Sequence, residues 1–436
     1  MSAAIESDPK METPPLPDHK PAFLKRVQIR NYKSIAFCDV TLEPLTLLVG
    51  RNGSGKSNFL DALGFLADLM EKKISESITA RGGWRSTVSK SYAHAAIEFR
   101  IEMDFPSHRS HWTADFSFSI RFDGSNGVVI ESEVLKLTEI NGSRICGYQQ
   151  NQHGFKWIGA DLFKDNVFDE QFIPTPERYR SGSSDRLFIT SIGSHPFIDL
   201  IELLGKSSIH NFYPAAMRML QPFQAGMMLS SNGDTLPYAI KVLDEIDTNS
   251  LLRVKQFLHA IVPEVDEFRV QDYGDFETVR FKLVSNGSNG PREFDASSMS
   301  DGTLRAIAAL IASRQIILPM GQGFIGIEEP ETSLHPAAMH ALVDALDEAT
   351  LLKQIILTTH SSEILDNPTI KPKNVRVVRM IDGHTVIAPV DKVYHDIIRR
   401  ELNTLGGLER DNLLEPDLDD LDRQQKLADA PREAAA

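Results

Sequence analysis

A chain of 436 residues, 42% hydrophobic and 24% charged, reads as a soluble globular protein with room for one large domain or two ordinary ones. Its formal charge is −14: residues 1–20 hold four acids and two bases, residues 409–436 nine acids and four bases, which leaves −7 between them. That balance excludes a globally basic nucleic-acid binder, so any grip on DNA has to be a local patch.

In chain order, MSAAIESDPKMETPPLPDHKP is acidic and Pro-rich without the apolar segment of a secretory signal, and residues 1–21 are expected to be a disordered tail. FLKRVQIRNYKSI and CDVTLEPLTLLVG read as two strands, and a glycine loop then opens a helix over Ser57–Glu71. Strands are expected at Ala95–Met103, Phe116–Phe122, Val128–Leu137 and Ser143–Gln149. Asp123–Gly124, Asn126–Gly127 and Asn141–Gly142 punctuate them as hairpin turns, which makes an antiparallel meander. Residues 185–262 look mostly helical, broken by Pro214, Pro222 and Asn232–Gly233; strands return over Phe268–Leu283. A polar loop and a helix follow, then two buried strand–helix units at GFIGIEEPE and QIILTTHSSEIL. The hairpin VRVVRMIDGHTVIAPV turns at Asp382–Gly383, and residues 396–436 are expected to be a solvated acidic tail. Parallel-strand patterns at both ends predict one composite α/β domain over 22–395. The longest apolar stretch, around Ala306–Leu318, is too short and too interrupted to span a bilayer. Cys38 and Cys146 form neither a disulfide framework nor a metal pattern, which fits a reducing cytoplasm.

Gly50-Arg51-Asn52-Gly53-Ser54-Gly55-Lys56-Ser57 satisfies G-x-x-x-x-G-K-[ST] between a strand and a helix. Glycines let backbone N–H groups close around phosphates, and a helix N-terminus adds its positive end. Gly50, Asn52, Gly53, Ser54, Gly55, Lys56, Ser57 and Asn58 are therefore the expected nucleotide-binding set. Within it, Lys56 reaches the β- and γ-phosphates of ATP, and Ser57 ligates Mg²⁺. In GFIGIEEPETSLHP an apolar run, Phe324–Ile327, delivers Glu328 and Glu329 to a strand end. The first acid of such a pair holds Mg²⁺ and the second orients and deprotonates the attacking water, although two acids alone also suit an exposed loop.

In SSMSDGTLRAI, Ser300 and Asp301 suit helix N-caps, a role that needs no ligand. IILTTHSSEIL puts His360 at the end of another apolar strand, where it would reach the γ-phosphate. Arg81, Arg85, Lys90, Arg178 and Arg180 are the basic candidates for a DNA surface, against the plain reading of scattered bases as a solvated face. Asp417-Leu418-Asp419 superficially matches a metal-binding D-x-D pair, but no nuclease site is expected in so acidic a tail.

Taken in order, RNYKSI, GRNGSGKS, MSDGT, IEEPETSLHP and LTTHSSEIL resemble the motifs of ABC-class ATPase heads of the SMC/RecF type. More closely they resemble the RecF-like AAA ATPases related to the ATPase half of OLD (overcoming lysogenization defect) nucleases, across roughly residues 22–390. The resemblance implies an α/β P-loop NTPase fold, an ABC-type head with an antiparallel β meander and a mainly helical insert over about 185–262. It implies a catalytic set of Glu329 as base, His360 as switch histidine and Lys56, with Ser57 and Glu328 holding Mg²⁺. Ser300, Gly302 and Thr303 would touch the γ-phosphate bound by the other subunit of a homodimer. Ser333 to His335 would form the D-loop, and Asn31 and Lys33 would border the nucleotide. Glu328 stands where an Asp is more common, and Asp301 where the signature has a Gly; no Q-loop glutamine is assigned.

The activity so implied is ATP hydrolysis by an ATP-gated dimer in DNA repair or anti-phage defence, coupled to DNA or a partner effector. Residues 58–298 show no sustained heptads, unlike an SMC arm. Only about forty residues follow the last hairpin, so an effector nuclease is expected as a separate partner. The rival is a slow-turnover nucleotide switch that restrains a partner protein; a transporter ATPase fits the long meander poorly.

Overall fold

A computed structural model describes residues 21–429 apart from 91–94, 108–109, 125–126, 143, 152–153, 160–184, 224–227, 285–291 and 316–322. Residues 1–20 of the tail expected over 1–21, and Arg178 and Arg180, lie outside the described residues. The strands run in chain order from β1 (Phe23–Tyr32), β2 (Ile35–Thr41) and β3 (Leu45–Val49) to β4 (Ile97–Ser107), β5 (Ser110–Asp123) and β6 (Gly127–Glu139). Then come β7 (Ile145–Asn151), β8 (Gly154–Ile158), β9 (Ser208–His210), β10 (Gln221–Pro222), β11 (Val265–Tyr273) and β12 (Phe276–Leu283). The last are β13 (Arg292–Asp295), β14 (Phe324–Glu328), β15 (Gln354–Thr359), β16 (Val375–Ile381) and β17 (His384–Pro389).

Among the described residues these strands form three sheets. The expected meander is an antiparallel sheet in the order β2-β1-β4-β5-β6-β7-β8, with buried positions alternating along β4 and β5 as one covered face requires. The second sheet, β17-β16-β3-β15-β14-β9, is parallel apart from β17. LTLLV, FIGIE and QIILTT are buried almost throughout, as parallel strands covered on both faces must be. A small antiparallel sheet joins β10, β12 and β11, with β13 on β12. The fold is thus the α/β P-loop class expected, with its nucleotide sheet closed by distant segments.

The helix Lys56–Glu71 lies between the meander and the parallel sheet and buries Phe59, Leu60, Leu63, Phe65 and Leu66. A second core covers the other face of the parallel sheet, built from the helices Leu236–Ile246, Thr248–Ile261, Asp301–Arg314 and Pro336–Ala349. Polar staples join the layers. The buried Gln354 amide accepts from Leu24 N at 2.9 Å and donates to Leu24 O at 2.9 Å, so one side chain of β15 pairs with β1 as a strand would. Arg376 donates to Thr41 O at 2.7 Å.

Two expectations need correction and a third an addition. The segment read as two strands is three, because Pro44 ends the pairing before β3. The stretch 185–262 is mostly helical, as expected, but it also carries β9, which pairs in parallel with β14 and belongs to the nucleotide sheet. Three residues are too few to show a period. The stretch 396–436 is no free tail over its described part. The helix Leu418–Asp429 packs on β2 and β17, with Gln424 buried: its Oε1 accepts from Asp39 N at 3.0 Å and its Nε2 donates to Ile387 O at 2.8 Å. Acidic composition hid this, because acids of the segment are paired locally, Asp420 with Arg423 at 2.7 Å and Asp419 with Lys392 at 3.0 Å. On β2, Asp39 takes a bidentate contact from Arg26, both bonds 2.7 Å, and a further one from Arg423 of the helix. Burial pushes the Asp39 carboxyl up, but those hydrogen bonds and charges outweigh it and hold it below the ordinary carboxylate range.

Gln424→Ala should cost about 1–3 kcal/mol by leaving buried amide and carbonyl groups unpaired, read as a lower urea midpoint and faster proteolysis after β17. Asp39 adds a pH signature. Its folded value is depressed, so its contribution is complete above an unfolded value of about 4 and is lost as pH falls further. Acid unfolding should therefore begin later in wild-type protein than in Arg423→Ala.

Candidate nucleotide site

Strand β3 delivers the chain to Gly50, where an added Cβ would meet Val378 O of β16 at 2.1 Å. The loop then turns through Gly53 at φ +79° and Gly55 at φ +102°, values that only glycine adopts freely. Gly53 faces open space, with nothing within 4 Å of its missing Cβ. Gly55 begins the helix Lys56–Glu71 and no side chain caps it, so the first N–H groups are left for a ligand. Ser54 Oγ is buried and without a hydrogen-bond partner. Lys56 Nζ donates to Gly50 O at 2.5 Å and Arg51 O at 3.2 Å. Burial lowers the Lys56 ammonium, opposed by the charges of Glu329, Glu409, Glu331 and Glu328 in that order.

Across the loop, Ser57 Oγ donates to Glu328 Oε2 at 2.7 Å. Glu328 is the last residue of β14, and Glu329 follows in the left-handed region at φ +41°. Its N–H is held by Thr358 O at 3.1 Å and Thr358 Oγ1 at 3.2 Å, one strand over. His360 leaves the end of β15 and stands with Nδ1 3.4 Å from Glu329 Oε1. Beneath them Glu331 is buried, one oxygen taking the Thr359 hydroxyl and the other unpartnered; burial raises its carboxyl. The ends of β3, β14 and β15 thus gather Lys56, Ser57, Glu328, Glu329 and His360.

Two residues that motif reading overlooked brace the loop from behind. Thr385 Oγ1 donates to Ser54 O at 3.0 Å and pairs with Ser34 Oγ at 2.7 Å, and an added Cβ on Gly55 would lie 1.9 Å from it. Asn58 Nδ2 donates to Ser34 Oγ at 2.6 Å, so its side chain serves this brace. The available signals were Ser34 inside RNYKSI and the position of Thr385 two residues after the Asp382–Gly383 turn. Asn31 and Lys33, at φ +58° and +48°, shape the turn that presents Ser34. The buried Asn31 amide donates to Ala96 O at 2.9 Å and Lys33 pairs with Asp61 at 2.6 Å.

The signature segment is not joined to the P-loop within the chain by any described hydrogen bond. Ser300 caps the helix Asp301–Arg314, its Oγ accepting from Thr303 N at 3.1 Å, and Ser300 and Asp301 are exposed while Gly302 and Thr303 are buried. Gly302 is pressed on the expected D-loop: an added Cβ would be 2.4 Å from Ser333 O. Of the basic candidates, Arg85 and Lys90 are exposed. Arg81 is internal, paired with Asp61 at 3.1 Å and Asp68 at 2.8 Å, which removes it from any DNA surface. Lys392 pairs with Asp419 at 3.0 Å and Asp417 at 3.5 Å, and among the described residues no cluster of three or more His, Cys, Asp or Glu could hold a metal.

The donor set fits a magnesium nucleotide. Ser54 Oγ without a partner, the uncapped helix and the open space at Gly53 suit phosphate oxygens. Ser57 and Glu328 suit a hard cation that keeps most of its ligands as water and phosphate.

Two family models match: "AAA ATPase domain" over residues 23–146, and "AAA domain, putative AbiEii toxin, Type IV TA system" over residues 169–366. The Old nuclease of Escherichia phage P2 is 26% identical over 363 residues, covering 78% of this chain and 57% of that protein. Endonuclease GajA of Bacillus cereus (strain VD045) is 22% identical over 410 residues, covering 86% and 62%. The chain therefore spans about three fifths of the length of these relatives. The DNA replication and repair protein RecF of Arthrobacter sp. (strain FB24) is 43% identical over 54 residues, 12% of this chain and 14% of that protein. Among solved structures, an SMC head bound to the C-winged helix domain of ScpA aligns with a TM-score of 0.48 at 12% identity, over 85% of this chain and 99% of that one.

Thr385→Val keeps the shape of the brace and removes its hydroxyl. The expected result is a loss of about 1 kcal/mol in stability and a several-fold weaker grip on a fluorescent ATP analogue, measured by titration.

Proposed function

We propose that this chain, an OLD/RecF-like ABC-type ATPase by its family models and relatives, hydrolyses ATP as an ATP-gated dimer in DNA repair or phage defence. The observation that carries the proposal is the meeting of an uncapped, glycine-opened helix N-terminus with Lys56, the Ser57–Glu328 pair and the Glu329–His360 pair. Lys56 gives up the Gly50 and Arg51 carbonyls and turns to the phosphates. Ser57 and Glu328 would hold Mg²⁺, which would neutralise charge gathering on the phosphate oxygens. Glu329, aimed by its strained backbone and by Thr358, orients the attacking water and takes its proton. His360 donates a hydrogen bond on the same side and stabilises charge as the terminal phosphate departs.

The dimer is inferred from the place of Ser300–Thr303. A helix N-terminus with exposed Ser300 and Asp301, unconnected to its own P-loop, suits a phosphate presented by a second copy. Coupling to DNA, or to an effector nuclease, takes its support from relatives named a nuclease, an endonuclease and a DNA repair protein. A second reading, a slow nucleotide switch that restrains a partner, is favoured by one detail: Lys56 rests on backbone carbonyls and is surrounded by acids, a ground state that has to be broken for turnover.

Steady-state ATP turnover with and without linear duplex DNA, beside Glu329→Gln, tests the proposal. The expected result is turnover that rises with DNA and falls by about a hundredfold or more in the variant, with ATP still bound. Turnover absent or indifferent to DNA, with binding intact, favours the switch.

A further inference from the structure

The short helix Leu405–Arg410 belongs to none of the motifs, yet it stands at the nucleotide site. Thr404 caps it, accepting from Gly407 N at 2.9 Å. Its Gly406 lies so close to the segment after His360 that an added Cβ would be 2.1 Å from Ser362 O and 2.5 Å from the Asp366 carboxylate. Gly406 N donates to Asp366 Oδ1 at 3.0 Å, and Arg410 reaches Oδ2 at 3.4 Å. The helix is thereby fixed on the residues that follow the switch histidine.

Glu409 comes three residues after Gly406, so it falls on the same face of the helix. Its Oε2 is buried and has no hydrogen-bond partner. Arg379, near the end of β16, donates through Nη2 to Leu414 O at 2.5 Å and approaches Glu415 at 3.6 Å, while its Nη1 is likewise buried and unpartnered. The residue before it, Val378, is the one whose carbonyl closes on Gly50. An acid and a guanidinium, each with unmet hydrogen-bonding capacity, therefore sit beside the P-loop. Burial pushes the Glu409 carboxyl up, and Arg379, Lys56 and His360 pull it back, in that order. Among the acids acting on Lys56, Glu409 ranks second, after Glu329.

Lys56 and His360 are also the two side chains that a terminal phosphate would meet. Two anions in partly buried surroundings cannot share them at full strength, since like charges repel most where water is scarce. We propose that Glu409 is a sensor of the third phosphate: it balances Lys56 and His360 while that phosphate is absent, and is driven off with its helix when the phosphate arrives. The proposal rests on the P-loop being an ATP site. ADP reaches Lys56 through its β-phosphate but ends short of His360, so it displaces Glu409 less and the residue sets discrimination between the two nucleotides. The motion would reach further, because Leu405, Leu408 and Leu414 share the second core with Val375 and Val377. Beyond them Val390 bridges Pro416, which leads into the helix Leu418–Asp429.

The test is calorimetric titration of wild-type protein and Glu409→Gln, a change that keeps size and removes charge, with the magnesium complexes of a non-hydrolysable ATP analogue and of ADP. The variant should bind the analogue about tenfold tighter and ADP with a clearly smaller gain. In parallel, hydrogen exchange in wild-type residues 405–415 should speed up more with the analogue than with ADP. Equal shifts for both nucleotides, no shift for either, or exchange indifferent to the analogue would overturn the sensor alone. Failure of wild-type protein to bind either nucleotide would overturn the ATP site and the sensor together.

Discussion

The hairpin β16–β17 touches the P-loop at two glycines, and the shape of the site follows from that contact. At Gly50 the Val378 carbonyl occupies the space of a side chain, and at Gly55 the Thr385 hydroxyl does the same. The loop is pinned from behind at both ends, while its middle at Gly53 meets nothing. Backbone N–H groups are consequently held open without a ligand present, and a phosphate need not order them on arrival. A side chain at either glycine would have to displace backbone or a buried hydroxyl, neither of which can yield cheaply.

Charge is arranged with the same one-sidedness. Glu328, Glu329, Glu331 and Glu409 act on a single buried ammonium, and among the described residues Lys56 hydrogen-bonds only to carbonyl oxygens. Three of the four acids are tethered elsewhere: Glu328 to Ser57, Glu329 beside His360, Glu331 to Thr359. These tethers come from side chains whose strands end at the same edge of the sheet. In parallel α/β sheets, that carboxyl edge is where ligands bind.

What could be read from sequence was whatever local chemistry enforces. The glycine loop, the acid pair and His360 each follow an apolar strand, and strand ends are visible as a change from continuous burial to polar residues. The meander was legible because β4 and β5 alternate and Gly-containing pairs follow β5 and β6 in the sequence. What stayed hidden depends on long-range partners. Ser34 and Thr385 are ordinary hydroxyls until the fold brings them together. Three residues of β9 carry no period, and an acidic helix discloses its docking only when Gln424 meets Asp39 and Ile387. Asn31 had the opposite failing: it sits in a motif, but its amide is spent on Ala96 O.

The staples of the fold also impose an order on its birth. Leu24 is joined to Gln354, Leu45 to Asn374 and Ser54 to Thr385, across 330, 329 and 331 residues. Closing loops of that length adds little entropy cost over shorter ones, but it cannot begin until the later partner has been synthesised. A ribosome that has finished the P-loop still has more than three hundred residues to add before the loop gains its backing. Throughout that interval LTLLV is an unpaired apolar strand without either of its parallel neighbours, β15 and β16. Nucleotide competence then arrives in one step, after the hairpin has emerged, and a chain halted before it has no partial version of the site.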